Sequence, residues 1–277
     1  MNKVLVLAKH PLISGSLIIF LGSTFGNFLN FIFNIFISRN LTLQDYGTVA
    51  SLMAIINLFG ISAGAITPTI VAFTSGSFLK NDLSFVKGVY LKILKPLLII
   101  ASLFLLAFIS FRYPIAEFLN IENGSLLLII TGIIIFIGFI SVLNISLFQA
   151  RLFFKLMSFL NLTSSTLKLS LGIVFVFSGL KALGVMVAIL IAYLAPYFLG
   201  LTFLKFLFVK RVEKVEVDFR KLLGFAMPSG LSLLGLTAII STDLVLVKHL
   251  FDTNSAGIYA GLALVGKVIF FFTDPLG

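Results

Sequence analysis

The sequence predicts an all-α polytopic membrane protein of about eight spans. Three observations carry this. The 277 residues are 60% hydrophobic, with a mean hydropathy of +1.18. Apolar stretches of roughly 20 residues recur, each long enough to cross a hydrocarbon layer about 30 Å thick. Of the twenty Lys and Arg residues, eighteen fall in the gaps between these stretches or at their ends. The formal charge of +10 therefore reads as cation-rich loops rather than a nucleic-acid footprint. With no cysteine in the chain, disulfides and thiolate metal sites are excluded.

The spans fall at about 12–37, 48–73, 93–111, 126–148, 157–178, 182–208, 222–247 and 257–275. The first is too long for a signal-peptide core and has no small-residue cleavage site, so it reads as retained. It ends at Arg39, and Thr42 can cap the second span, with Asp45 supplying a capping-box-like carboxylate. Pro68 in span two, Pro196 in span six and Pro228 in span seven each remove a helix hydrogen bond and can kink their helices. The longest hydrophilic connection, Val209 to Lys221, alternates valines with charges. It reads either as an amphipathic linker on the membrane surface or as a solvated loop. Asp252 can cap span eight, which is interrupted by Asp274-Pro275.

Fourteen cations, including Lys87, Arg151 and Lys210, lie in one set of gaps. Only Arg39, Arg112, Lys181 and Lys248 lie in the other. That asymmetry places the N-terminus in the cytoplasm. The abundance of Ile, Lys, Phe and Asn points to a prokaryotic cytoplasmic membrane.

The junctions after spans one and seven align at a shift of 210 residues, pairing Gly47 with Gly257, Ala50 with Ala260 and Leu52 with Leu262. Shared apolar helix, cation, cap and glycine suggest a six-helix repeat with both copies in one orientation. The expected division is a six-helix lobe at 1–208, a cytoplasmic linker at 209–221 and the start of a second lobe at 222–277.

Two segments resemble the polysaccharide-biosynthesis flippases of the multidrug/oligosaccharidyl-lipid/polysaccharide exporter superfamily. One is Ile37-Ser38-Arg39-Asn40-Leu41-Thr42-Leu43-Gln44-Asp45-Tyr46-Gly47. The other runs from Leu223-Gly224-Phe225-Ala226-Met227-Pro228 through Thr242-Asp243 and Lys248 to Ala256-Gly257-Ile258-Tyr259-Ala260 and Gly266-Lys267. The resemblance implies a MATE-like fold and a transporter that flips a polyprenyl-diphosphate-linked oligosaccharide. It implies membrane lipid and that glycan as partners, with a polysaccharide polymerase or glycosyltransferases as further ones. Members typically carry about twelve or more spans in two lobes, so this chain is expected to be a C-terminally truncated member.

Lys168 and Lys267 sit near the middle of apolar spans. A lysine at that depth costs roughly 2.5–3.5 kcal/mol on insertion scales and usually faces a polar cavity. Span one carries a polar stripe of Ser16, Ser23, Asn27, Asn30, Asn34 and Ser38 on one helix face. It serves either interhelical hydrogen bonding or a cavity wall for sugar hydroxyls. Asn161, Ser165 and Lys168 share a face of span five. Lys168 either holds a structural ion pair or backbone carbonyls, or counters a lipid-linked diphosphate; Lys267 either links to Asp274 through neighbouring helices or serves the same counter-charge role. Arg39, Asp243 and Lys248 are candidates for coupling or gating. An exporter of cationic drugs, coupled to cations, is the alternative within the same superfamily; it needs membrane carboxylates, of which Asp243 is the best. A non-transporting polysaccharide-assembly partner is a further alternative. There is no P-loop, no histidine-based metal spacing and no Ser-His-Asp candidate, so neither cofactor nor enzymatic activity is expected.

Overall fold

Ten α-helices and no strand make up the residues described by the computed structural model, 11–121, 124–205, 207 and 219–266. They are α1 (Pro11–Asn40), α2 (Leu43–Gly64), α3 (Thr67–Leu79), α4 (Leu83–Ser110), α5 (Arg112–Phe118), α6 (Ser125–Ala150), α7 (Phe154–Phe177), α8 (Lys181–Phe203), α9 (Phe219–Leu250) and α10 (Thr253–Gly266). Six of them, α1, α4, α6, α7, α8 and α9, are long and apolar enough to cross a membrane. Gly47, just past the turn at 41–42, lies against Gly257, just past the turn at 251–252. The turns at 41–42 and 251–252 therefore lie at one end of the bundle, the upper end.

Hydropathy placed the spans, but capping set their true ends. α4 starts ten residues before the expected 93, because the Asp82 carboxylate accepts the Phe85 amide hydrogen bond at 3.0 Å and caps the helix there. Lys87, Lys92 and Lys95 are thus helical. The expected second span is two helices: the chain turns at 65–66, and Pro68 lies in the first turn of α3 rather than inside one continuous helix. Proline is suited to that position, where its missing N–H has no helical acceptor. The short α5 falls in what was read as a gap. Pro196 and Pro228 do lie inside α8 and α9, as does Pro96 inside α4. Residues 209–218 of the 209–221 linker lie outside the described residues, and Phe219 already opens α9.

α6 is the central helix, with Leu128, Ile134 and Leu143 fully buried against neighbours from α2, α3, α4 and α8. Alongside it, α1 packs on α7 through glycines. A Cβ on Gly22 would lie 2.6 Å from the Ser158 hydroxyl, and one on Gly26 3.1 Å from the Asn161 amide nitrogen. In a membrane this close approach replaces the hydrophobic effect as the source of helix association. The Ser158 hydroxyl donates to the Ile18 carbonyl at 2.9 Å across the interface. Gly26→Val should wedge the helices apart and cost about 1–3 kcal/mol. A thermal-unfolding midpoint equal to the parent's would contradict this packing.

α9 and α10 both lie against α2. At the upper end Gly47 of α2 faces Gly257 of α10, where a Cβ on Gly47 would stand 3.1 Å from the Gly257 nitrogen. A Cβ on Gly257 would overlap the Leu43 backbone.

Candidate functional site

The turns at the upper end come first, because they aim the helices that line the site. The Thr42 hydroxyl accepts from the Asp45 amide at 3.1 Å and donates to the Asp45 carboxylate at 2.8 Å. The expected cap is therefore present, with the carboxylate taking the cap's hydroxyl. Asp252 accepts from the amides of Asn254 and Ser255 at 3.1 and 3.0 Å. Hydrogen bonds from Ser255 hold its carboxyl below the usual carboxylate range. Acid should loosen this turn only as pH falls through that lowered value.

Beneath these turns lies a cavity of about 360 Å³ between α1–α2, α7–α8 and α9–α10. Asn30, Asn34, Tyr46, Asn57, Lys168, Tyr193 and Ser241 supply its polar lining. The ammonium of Lys168 stands 5.0 Å from the centroid of the Phe33 ring, a cation–π contact. That ring is fully buried, and it fits against α7 because a Cβ on Gly172 would come within 2.7 Å of it. The Asn30 amide donates to the Ser165 hydroxyl at 3.3 Å, leaving its carbonyl oxygen buried and without a partner. Asn34 turns its amide to the Asn30 backbone carbonyl at 2.8 Å.

The walls repeat. Asn30 and Ile240, Asn34 and Leu244, Ala50 and Ala260, Met53 and Ala263, and Ala54 and Leu264 all line this cavity, each pair separated by 210 positions. The same shift relates Gly47 to Gly257 at the closed end above it. Residues that identity alone could not match are thus matched by their place around one space.

The structure brings Asn30, Asn34 and Lys168 together on this cavity and sets Ser165 behind Asn30. Asn161 lines a second cavity, and half-buried Asn27 lines neither. Arg39 is exposed near the upper end. Asp243 accepts the Tyr259 hydroxyl at 3.0 Å. Lys248 is 1% exposed, and its ammonium nitrogen has no hydrogen-bond partner. Lys267 lies outside the described residues; its counterpart at a shift of 210 is Asn57, a cavity residue. Tyr46, Tyr193 and Ser241 were not singled out in the sequence. Tyrosines and a serine in apolar helices carry no period that separates a cavity wall from a packed one.

The second cavity, about 510 Å³, lies between the lower halves of α1, α6, α7 and α8 and the ends of α2 and α3. It shares Tyr193 with the first. Among the described residues no Asp or Glu lines either cavity.

A latch joins the segment after α5 to the end of α9. The Asn120 amide donates to the carbonyls of Lys248 at 3.3 Å and His249 at 3.0 Å, which as helix-terminal carbonyls have no helical donor. Asn120 adopts φ 49°, a conformation asparagine tolerates better than most residues. The His249 Nδ1–H donates to the Phe118 carbonyl at 2.6 Å, and the two rings stack 3.9 Å apart at 10°. No group of three or more His, Asp or Glu residues that could hold a metal occurs among the described residues.

Residues 12–272 match the family described as polysaccharide biosynthesis protein. No curated protein matches the chain significantly. Three solved structures are similar. An inward-facing multidrug resistance MATE family transporter of the MOP superfamily is 16% identical with a TM-score of 0.68, over 90% of this chain and 60% of that one. The outward-facing conformation of such a transporter gives 16% and 0.60, over 100% of this chain and 69% of the other. A MOP superfamily transporter from Pyrococcus furiosus, described by the reverse polarity of its binding pocket, gives 14% and 0.58, over 99% and 71%. The fold is that of these transporters, and the chain spans 60% of the length of the first.

Proposed function

The chain belongs to the polysaccharide biosynthesis family, a family of multi-pass membrane proteins to judge by the fold, and on that premise we propose that it flips a polyprenyl-diphosphate-linked oligosaccharide across the membrane. The observation that carries the reading is a cavity with a lysine ammonium, amides and no acid among its described lining. Lys168 supplies a compact positive charge with three donors, suited to a phosphate or diphosphate. Asn30 offers a free carbonyl oxygen to a sugar hydroxyl. Lys267, the counterpart of Asn57, is the second cation of the proposal.

We place α1–α8 in one lobe and α9 and α10 in a second, with the substrate entering between them. The cation asymmetry puts the N-terminus in the cytoplasm of a prokaryotic cell, so the upper end faces outward and the Gly47–Gly257 contact is the closed outer gate. Alternate opening of the two ends moves the substrate. A polysaccharide polymerase receives the product outside. A cationic-drug exporter is disfavoured by the acid-free lining, and Asp243, its best carboxylate, is engaged by Tyr259. A reversal of pocket polarity is what distinguishes the Pyrococcus furiosus relative, and a basic cavity is in keeping with such a difference.

The test is flipping of a fluorescent polyprenyl-diphosphate sugar by the full-length protein in liposomes. Transport of a cationic dye in its place would reverse the assignment. The gate makes a separate prediction. Removing the buried ammonium of Lys248, which has no hydrogen-bond partner, should stabilise the closed end, since a buried donor left unbonded is costly. Lys248→Met should slow flipping severalfold and raise the yield of a cross-link between cysteines at positions 118 and 249. A lower yield would mean that attraction to Asp45, which acts on Lys248 from α2, outweighs its burial.

A further inference from the structure

The second cavity carries no charge: among the described residues its lining holds amides, hydroxyls, aromatic rings and aliphatic groups only. Asn144 stands in it. This residue is 3% exposed, its Oδ1 accepts the Tyr90 hydroxyl at 3.2 Å, and its Nδ2 is buried with no partner. The serines on the α6 and α7 walls are committed to the backbone. The Ser141 hydroxyl donates to the Ile137 carbonyl at 2.7 Å, and that of Ser164 to the Ala192 carbonyl at 2.8 Å. They retain lone pairs and can accept a further hydrogen bond; among the described lining residues, the Asn144 amide nitrogen is the fully buried donor without a hydrogen-bond partner. A buried polar group without a partner is rare enough to require an explanation.

We infer that this cavity is a subsite for an uncharged sugar unit, held by Asn144. The inference rests on the proposed transport of a lipid-linked glycan. A sugar hydroxyl both donates and accepts, so it satisfies whichever end of the amide faces the cavity. The rings of Tyr193 and Tyr197 provide flat apolar faces for a sugar's C–H edges. An acidic sugar would bury its carboxylate with no counter-charge, which the site cannot repay. Tyr193 borders both cavities, so the anion site at Lys168 and the second cavity lie on either side of one ring. The two cavities thereby divide the substrate by charge: Lys168 takes the phosphate and Asn144 the neutral sugar beside it.

The experiment is equilibrium binding to the full-length protein in lipid nanodiscs with three probes. These are polyprenyl diphosphate alone, the same lipid bearing one neutral N-acetylhexosamine, and the same lipid bearing one uronic acid. The neutral sugar is expected to improve affinity about tenfold over the bare diphosphate, and the uronic acid not at all. Asn144→Leu should abolish that gain and leave the bare diphosphate unchanged. Gly138→Leu serves as the second variant, since an added Cβ there meets only the Tyr193 ring, at 3.9 Å. It fills the cavity from another wall and should abolish the gain without disturbing Asn144. Tyr90→Phe removes the hydrogen bond that holds Asn144 but no cavity donor, and should keep the gain. An undiminished gain in Asn144→Leu and Gly138→Leu overturns the inference, as does equal loss in Tyr90→Phe, which would make Asn144 structural. Failure of Lys168→Ala to weaken the bare diphosphate is a different result and counts against the proposed function instead.

Discussion

Lys168→Ala should reduce flipping of a polyprenyl-diphosphate sugar by about 30-fold to several thousand-fold. That range corresponds to roughly 2–5 kcal/mol for truncating one partner of a buried, hydrogen-bonded charge pair. The argument begins with an apolar helix that could have closed on itself. α7 keeps a lysine on the cavity face, over a buried phenylalanine ring that Gly172 allows into position. An ammonium resting on an aromatic face keeps only part of the stabilisation that a diphosphate would add. Lys168→Arg should retain much of the activity, because the charge persists although its geometry changes. The check is initial flipping rate in liposomes at matched protein content. Equal rates for the parent and Lys168→Ala would remove the lysine from the proposal.

Gly257→Val should prevent the upper end from closing. The added atoms would meet the Leu43 backbone rather than a movable side chain, so the two helices must separate. Overpacking of this kind costs about 1–3 kcal/mol where neighbours can yield, and more where a backbone is the obstacle. A penalty of about 3 kcal/mol applied to the closed state alone shifts a balanced equilibrium more than a hundredfold. Flipping should fall to near background. The yield of the cross-link between cysteines at positions 118 and 249 should fall with it. Gly47→Ala meets the Gly257 nitrogen at 3.1 Å and should act in the same direction but more weakly. A closed end that forms normally in Gly257→Val would show that the contact is incidental.

Much of this arrangement is legible in the sequence, for physical reasons that differ by residue. Long apolar runs announce spans because nothing else keeps them out of water, and six appear as single helices. Helix ends were less legible, since hydropathy marks where apolar residues start and not where a side chain such as Asp82 caps the helix. The break at 65–66 was hidden because Pro68 signals a kink and a helix start equally. In the site, Lys168 stood out because burying an ammonium is costly. Asn30 and Asn34 stood out because their stripe repeats with the helix. Asn144 did not, since a single amide in an apolar run has no period. Lys248 read as a loop cation because it follows a span, yet the meeting of α9 with α2 buries it. The 210-residue repeat was faint in identity because helices conserve which face they line more than which residue lines it; the paired cavity walls display it.

The most direct test ties the upper end shut. The 277 residues hold no cysteine, and Phe118→Cys and His249→Cys introduce a pair where the two side chains stack. The full-length double variant would be joined by a short, cleavable thiol reagent in liposomes, and flipping of the polyprenyl-diphosphate sugar followed before and after cleavage. Alternating access predicts that flipping stops when the end is tied and returns when the link is cut. Flipping that continues at the untied rate would contradict it.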